Sequence, residues 1–153
     1  MGWVEIIIAL VAVYGAIIST YNLIIHRERT KVRVKIKLSF GFLHYSAGLD
    51  SKHSLILEAI NIGARPVTIS SQGFILPNKR QLICPNPYSN VQFPLELSEG
   101  RNCMSWYELK IIADALAQEG FSGIFKLVGF YRDVAANTYM SKPLKFDIDK
   151  YSG

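Results

Sequence analysis

The apolar segment IIIALVAVYGAIISTYNLII, residues 6–25, is followed at once by the charged segment HRERTK, residues 26–31. An apolar run of about 20 residues is long enough, as a helix, to cross a hydrocarbon core of roughly 30 Å. A cleavable signal peptide has a basic start and a shorter apolar core. The residues before this apolar run contain Glu5 and no Lys or Arg. We therefore predict an uncleaved transmembrane anchor at residues 1–25, with a signal peptide as the alternative.

The charges beside this run predict its orientation. Basic residues follow it and none precedes it; they are Arg27, Arg29, Lys31, Arg33, Lys35 and Lys37. By the positive-inside rule, the N-terminus lies outside the cell inner membrane, the chain crosses that membrane once, and the domain behind the anchor is cytoplasmic.

The basic juxtamembrane segment, residues 26–37, also accounts for the net charge of +5. The six Lys and Arg residues of this segment and its one acidic residue, Glu28, give a formal charge of +5. The formal charges of the rest of the chain therefore sum to zero. The excess is explained by membrane topology and by anionic headgroups. We predict membrane lipids as partners and expect no sequence-specific nucleic-acid binding.

Small and polar residues recur along one face of the predicted membrane helix. Residues at this spacing let helices approach closely in lipid and keep polar groups away from acyl chains. The predicted helix-packing residues are Ala9, Ala12, Gly15, Ala16, Ser19 and Asn22, with Glu5 on the same stripe. We predict a homo-oligomer. The alternative is a monomeric anchor, because Ala and Gly are common in membrane helices and Glu5 falls in the headgroup region.

Residues 31–149 are predicted to form one cytoplasmic β-sandwich domain. Apolar and basic residues alternate strictly from 31 to 38, which indicates a strand with one buried face. Further runs of β-branched and aromatic residues, separated by turn sequences, lie at 54–62, 66–76, 81–84, 91–97, 123–133 and 138–148. The predicted fold class is mainly β, an Ig-like β-sandwich of about seven strands behind the N-terminal transmembrane α-helix. The last two runs are expected to form a hairpin.

One helix, at about 106–119, is predicted to interrupt the strands. Ser105 and Glu108 have the spacing of a capping box, and Gly120 supplies a stop after the last turn. Apolar residues recur at helical spacing at Trp106, Leu109, Ile112, Ala113 and Leu116. We expect this stripe to cover one end or edge of the sandwich.

The segment NIGARPVTI, residues 61–69, with Ser71 and Gly73, and the later segment YMSKP, residues 139–143, carry a resemblance. They resemble a pattern in uncharacterised bacterial single-pass membrane-anchored β-sandwich proteins, over roughly residues 31–148. The motif is mostly turn chemistry, since Asn and Gly form the turn and Pro starts the next strand. The resemblance implies a fold and a membrane anchor, and it carries no catalytic motif.

No group of residues in the sequence indicates a reaction. His44 and His53 lack the close spacing to Cys84 or Cys103 that metal sites show, so we predict no metal and no cofactor. The two cysteines fit reduced thiols in a cytoplasm, with one disulfide between them as the alternative. No phosphate-binding loop, nucleophile elbow or dinucleotide fingerprint is present. We assign no catalytic residue and predict that the protein is not an enzyme.

Two polar loop groups are the candidate ligand-binding residues. Lys79 and Arg80 lie between two predicted strands, and Arg101 and Asn102 come just before the predicted helix, whose N-terminus would favour an anion. The alternative is that both groups are solvated loops. In an oligomer, however, each weak basic loop is repeated around a symmetry axis, and the sum could bind a polyanionic ligand such as a nucleotide second messenger.

Two functions follow from these features. The first is a non-enzymatic, membrane-anchored oligomeric sensor or effector whose cytoplasmic sandwich binds a ligand and acts through the transmembrane helix bundle. The alternative is a passive membrane-tethered subunit that binds or scaffolds a protein partner through its sheet edges or through the loop at 85–90.

Overall fold

The chain begins with one long helix, α1 (Trp3–Arg29), none of whose residues is buried. The computed structural model describes residues 2–45, 49–83, 88–90 and 92–152. At 1.5 Å per residue, α1 is about 40 Å long, and it is long and apolar enough to cross a membrane. The helix continues beyond Ile25, so the first part of the basic segment is helical. Glu5 is turned back towards the helix start, where its carboxylate accepts a hydrogen bond from the Gly2 amide at 3.1 Å.

Ten strands and two further helices follow among the described residues. In chain order they are β1 (Val34–Tyr45), β2 (Leu49–Asn61), β3 (Val67–Ile75), β4 (Gln81–Leu82), β5 (Tyr88–Ser89), β6 (Leu95–Leu97), β7 (Asn102–Glu108), α2 (Leu109–Gln118), β8 (Ile124–Asp133), β9 (Thr138–Met140), β10 (Leu144–Asp147) and α3 (Ile148–Tyr151). One sheet has the order β1-β2-β7-β5. The other has the order β10-β8-β3-β4, with β6 also paired to β3 and β9 also paired to β8.

The two sheets share one apolar core. The first sheet contributes alternate side chains, such as Leu55 and Leu57 of β2, and the second contributes Ile69 and Phe74 of β3. The Tyr131 hydroxyl of β8 crosses the interface and donates a hydrogen bond to the Leu57 carbonyl at 2.9 Å. Two antiparallel sheets around one core confirm the mainly β class and the sandwich.

The expected count of about seven strands was too low. The expectation lacked the short strand β5 and the strand β7, the end of which was assigned to the helix, and the run at 138–148 is divided into β9 and β10. The terminal hairpin is confirmed, since β8 pairs with β9 and with β10. Its return strand is split by the Ser141–Pro143 connection, because Pro143 has no N–H to donate to a ladder.

The predicted start of the internal helix was wrong. Ser105 and Glu108 belong to β7, and α2 begins at Leu109. Ser105 is buried beside Cys103 and Tyr107, which is the alternation of a strand, and β7 pairs with β2 along its whole length. The helical part of the apolar stripe is buried as expected, at Leu109, Ile112, Ala113 and Leu116. The helix packs against α3 and the adjoining ends of β2 and β7.

The stop predicted at Gly120 is confirmed. Gly120 has a φ of +87°, a conformation that favours glycine. The Phe121 amide donates to the Leu116 carbonyl at 3.0 Å, which closes the end of α2.

The alternation predicted from residue 31 is also confirmed. Ile36 is buried and Val34 and Leu38 pack against the core, whereas Lys35 and Lys37 are exposed. The strand proper begins at Val34, so a short connection at 30–33 joins α1 to the sandwich.

Candidate functional site

The predicted pair Lys79 and Arg80 lies in the turn between β3 and β4. Lys79 has a φ of +65°, and the turn is closed by the Asn78 side chain, which accepts a hydrogen bond from the Arg80 amide at 3.0 Å. The Arg80 guanidinium forms an ion pair of 2.8 Å with Glu119, just after α2. Arg80 is therefore partly neutralised, and Lys79 is the freer cation of the two.

The predicted pair Arg101 and Asn102 lies at the start of β7. The Asn102 side chain donates to Glu58 at 2.7 Å, and the Arg101 carbonyl accepts from the Asn61 amide at 3.0 Å. Both residues are exposed. Because α2 begins only at Leu109, these residues are not at its N-terminus, so that reason for an anion site was wrong.

The two predicted pairs lie at opposite ends of the sandwich. Asn102 pairs with Ile60 near the end of β2, whereas the β3–β4 turn lies on the side of Glu119 and α2. The length of β7 alone separates the two ends by about 20 Å. Within one chain they do not form a single site.

The basic segment after α1 is partly neutralised by its own glutamate. Lys31 and Arg33 both form ion pairs with Glu28, and Lys37 lies 3.7 Å from Glu58 across the β1–β2 ladder. Arg27 and Arg29 are exposed in the last turn of α1. The charged side chains are therefore concentrated at the end of α1 and the start of β1, where the helix joins the domain.

A cleft of about 330 Å³ opens at the outer edge of β1. Its lining residues are Lys35, Ile36, Lys37, Leu38, Ser39 and Lys142. Lys142 comes from the connection between β9 and β10, in the other sheet. The sequence analysis missed Lys142 as a site residue, because nothing local ties it to the lysines of β1; the strict alternation of β1 was the only available signal.

The small residues of α1 are accessible along the whole stripe. All of the predicted packing residues are exposed, and a side-chain carbon added at Gly15 would meet nothing within 4 Å. The Thr20 hydroxyl donates back to the Ala16 carbonyl at 2.9 Å, so it is satisfied within the helix. Nothing described in the sandwich covers this face.

The described residues contain no group of three or more His, Cys, Asp or Glu side chains that could hold a metal ion. Cys103 is a free thiol that is fully buried, and burial raises its pKa above the ordinary value. A buried thiol held in its neutral form is a poor nucleophile. Cys84 and residues 85–87 of the predicted binding loop lie outside the described residues.

Asp133 is a carboxylate that accepts several hydrogen bonds from its own turn. It accepts hydrogen bonds of 2.9 Å from the Asn137 amide, the Asn137 side chain and the Tyr139 hydroxyl. Burial alone would raise the pKa of Asp133, but these hydrogen bonds outweigh it and hold the pKa below its ordinary value. Burial and the contact with Asp133 raise the pKa of Tyr139 to about 12. This arrangement closes the β8–β9 turn.

A second, open cleft of about 430 Å³ lies at the end of the sandwich where α2 begins. It is lined by His53, Glu108, Leu109, Lys110, Lys150 and Tyr151. Beside it, Phe42 is 64% exposed and contacts His53, with ring centroids 4.4 Å apart and ring planes tilted by 60°. Exposed aromatic rings next to a cleft are a typical contact surface for a partner.

No protein-family model matches the chain, and no curated protein matches it. Among solved structures, the X-ray structure of Northeast Structural Genomics Consortium target SoR45 is 13% identical, with 78% of this chain and 88% of that chain covered and a TM-score of 0.34. At that TM-score the likeness carries no argument about fold or function.

Proposed function

We propose that this chain is a non-enzymatic, membrane-anchored sensor or effector whose helices assemble in the membrane and whose sandwich binds an anionic ligand. In this proposal α1 crosses the cell inner membrane once, the N-terminus lies outside, and the Ig-like sandwich is cytoplasmic. The cations beside α1 support this orientation, because they collect on its C-terminal side.

The observation that carries the proposal is the absence of any buried residue in α1. None of its residues is buried against the sandwich, although the helix carries small residues along one face and polar Ser19 and Asn22 on or beside it. A polar side chain within the bilayer is stabilised by facing other helices. Assembly through this face would bring several sandwiches side by side.

The ligand part of the proposal rests on cations that the fold leaves unpaired. Among the described residues, Lys79 and Arg101 form no ion pair. An oligomer would repeat each of them around its axis, and a polyanion could then contact several copies at once. Arg80 and Asn102 would support them less directly, because each already contacts a glutamate.

The test is the mass of the full-length chain in nanodiscs, compared with that of two double variants. Replacing Ala12 and Ala16 by Leu enlarges the packing face and is expected to yield a monomer. Replacing Ile7 and Ile17 by Phe adds the same number of carbon atoms to the opposite face and is expected to leave the oligomer unchanged. A wild-type chain that is already monomeric would contradict the proposal.

The exposed aromatic surface at the α2 end favours a second function, a passive membrane-tethered subunit that binds a protein. Phe42 is mostly exposed and Phe40 is 43% exposed, and Phe40 lies 6.3 Å from the ring of Tyr151. This surface needs no oligomer to work. A monomeric mass, together with a co-purifying protein that is lost when Phe42 is replaced by Ser, would favour this function over the first.

A further inference from the structure

The cleft at the outer edge of β1 gathers lysines from both sheets. Lys35 and Lys37 come from β1, and Lys142 comes from the connection between β9 and β10. We propose that this cleft binds the phosphate of an anionic phospholipid headgroup. The proposal rests on the membrane attachment proposed above, and it adds a defined lipid site to it.

The charges in the cleft are complementary to a phosphate. No Asp or Glu is among its lining residues. The Lys37 ammonium lies 3.7 Å from the Glu58 carboxylate. Lys35 and Lys142 form no ion pair within the part of the chain that the structure describes. Ser39, which carries a hydroxyl, also lines the cleft, and an outermost strand presents unpaired backbone N–H groups. The site thus offers several donors around a volume of about 330 Å³.

Lys142 distinguishes this cleft from ordinary protection of a sheet edge. Lysines on an outermost strand often serve only to prevent pairing with another chain, and Lys35 and Lys37 fit that role. Lys142 lies in a connection between two strands of the other sheet, so edge protection of β1 does not explain its position.

The backbone around Lys142 is held in place by its neighbours. Ser141 is buried, and its hydroxyl donates to the Lys142 carbonyl at 2.9 Å and accepts from the Gly129 amide at 3.0 Å. The Ser141 amide donates to the Gly129 carbonyl at 2.8 Å. Pro143 then restricts Lys142 to an extended backbone. The backbone position of Lys142 beside the cleft is therefore fixed.

In the proposed arrangement, lipid headgroups lie close to the cleft, because only a short segment joins α1 to β1. The residues from Arg29 at the end of α1 to Lys35 span at most about 20 Å. Headgroups of the same leaflet that α1 enters are therefore within reach of the cleft. A second copy of β1 is the less favourable occupant, because pairing two such edges would bring lysines against lysines.

The experiment is native mass spectrometry of the full-length chain in detergent, titrated with dioctanoyl phosphatidylglycerol. We expect tighter binding than for dioctanoyl phosphatidylcholine and one phosphatidylglycerol adduct per chain. Lys142→Gln is expected to weaken that adduct about fivefold, the effect of removing one lysine near an anionic surface. Lys142→Arg should preserve it. The matched control is Lys145→Gln, which removes an equal charge from an exposed position of β10 outside the cleft and should leave the adduct unchanged.

Three results would overturn the proposal. They are equal binding of both lipids, equal weakening by Lys142→Gln and Lys145→Gln, and displacement of phosphatidylglycerol by an equal concentration of inorganic phosphate, which would identify a free anion as the ligand. Adducts are counted per chain whatever the oligomeric mass. A monomeric chain that keeps its adduct would therefore contradict the proposed assembly and leave the lipid site standing.

Discussion

Two regions of the sandwich bury an amide side chain, and they satisfy it very differently. In the turn after β2, Asn61 is fully buried and makes three side-chain hydrogen bonds: its amide donates to the carbonyls of Arg65 and Leu97, both at 2.8 Å, and its carbonyl oxygen accepts from the Gly63 amide at 2.9 Å. In the middle of β3, Gln72 is 5% exposed, and neither of its amide atoms has a hydrogen-bond partner in the structure.

The difference shows which polar residues hold the fold. The Asn61 turn is tied to the chain that enters from α1, because the amides of Ile62 and Gly63 both donate to the Arg33 carbonyl, at 2.8 and 3.1 Å. A side chain at Gly63 would lie 2.6 Å from the Lys31 carbonyl, so only glycine fits there. The turn connects the end of the domain that follows α1 to both sheets. Gln72 has no such role, and burying its amide without a partner costs free energy.

The largest effect is expected from Asn61→Ala. The substitution removes one of the two acceptors of the Gly63 amide and takes the side-chain donor from the carbonyls of Arg65 and Leu97. We expect the free energy of unfolding to fall by about 3 kcal/mol. The measurement is urea unfolding of the full-length chain in detergent, followed by fluorescence.

Asn78→Ala is the matched control for Asn61. Asn78 makes the same kind of local bond, to the amide two residues later, but it is exposed. We expect it to cost less than about 1 kcal/mol. Equal losses for the two variants would show that burial does not separate the two turns.

A smaller and pH-dependent effect is expected from Asp133, which closes the β8–β9 turn as Asn61 closes its own. Asp133→Asn disturbs hydrogen bonds to an ionised acceptor, and we expect a loss of about 2 kcal/mol at pH 7. Because the folded-state pKa lies below the ordinary value of 3.8, the stabilisation by Asp133 is fully present above that pH. It is lost as the pH falls through the folded-state pKa.

The difference in the free energy of unfolding between wild type and Asp133→Asn should therefore stay constant from pH 7 down to about pH 4 and narrow as the pH falls further. Urea unfolding at several pH values measures it. Asp149→Asn, at an exposed position in α3, should show little difference at any pH. A difference that stays constant down to about pH 2 would mean that the charge of Asp133 does not contribute.

The sequence predicted those parts of the fold that have a local period. The alternation from residue 31 located β1, and the helical spacing of Leu109, Ile112 and Leu116 located the buried face of α2. These patterns are sufficient because buried side chains recur at the period of a single element, every second residue in β1 and every three or four residues in α2. The turn at Asn61 was also predicted, although its hydrogen bonds to Leu97 and Arg65 were not.

The segment at 102–108 could not be assigned from its local pattern. Ser105 and Glu108 satisfy a capping box, and Cys103, Ser105 and Tyr107 also alternate as a strand. Pairing with β2 decides between the two, and that partner lies far earlier in the chain. The cleft at β1 could not be predicted for the same reason, a dependence on residues distant in sequence. Lys142 lies near Lys35 and Lys37 only because the two sheets pack together.

The smallest effect, and the only gain in stability, is expected from Gln72→Leu. Gln72 lies opposite Tyr131, between the part of β3 that pairs with β6 and the part that pairs with β4. Leu has a similar volume and no polar atom, so the substitution should raise the free energy of unfolding by about 1 kcal/mol.

Gln81→Leu, at an exposed position of β4, is the control and should stay within about 0.5 kcal/mol of wild type. A loss of stability in Gln72→Leu would contradict the prediction and would show that the amide is satisfied by buried water, the usual partner of a polar group inside a domain. The comparison with Asn61 would then change, because both buried amides would contribute to the fold, one through the chain itself and the other through solvent.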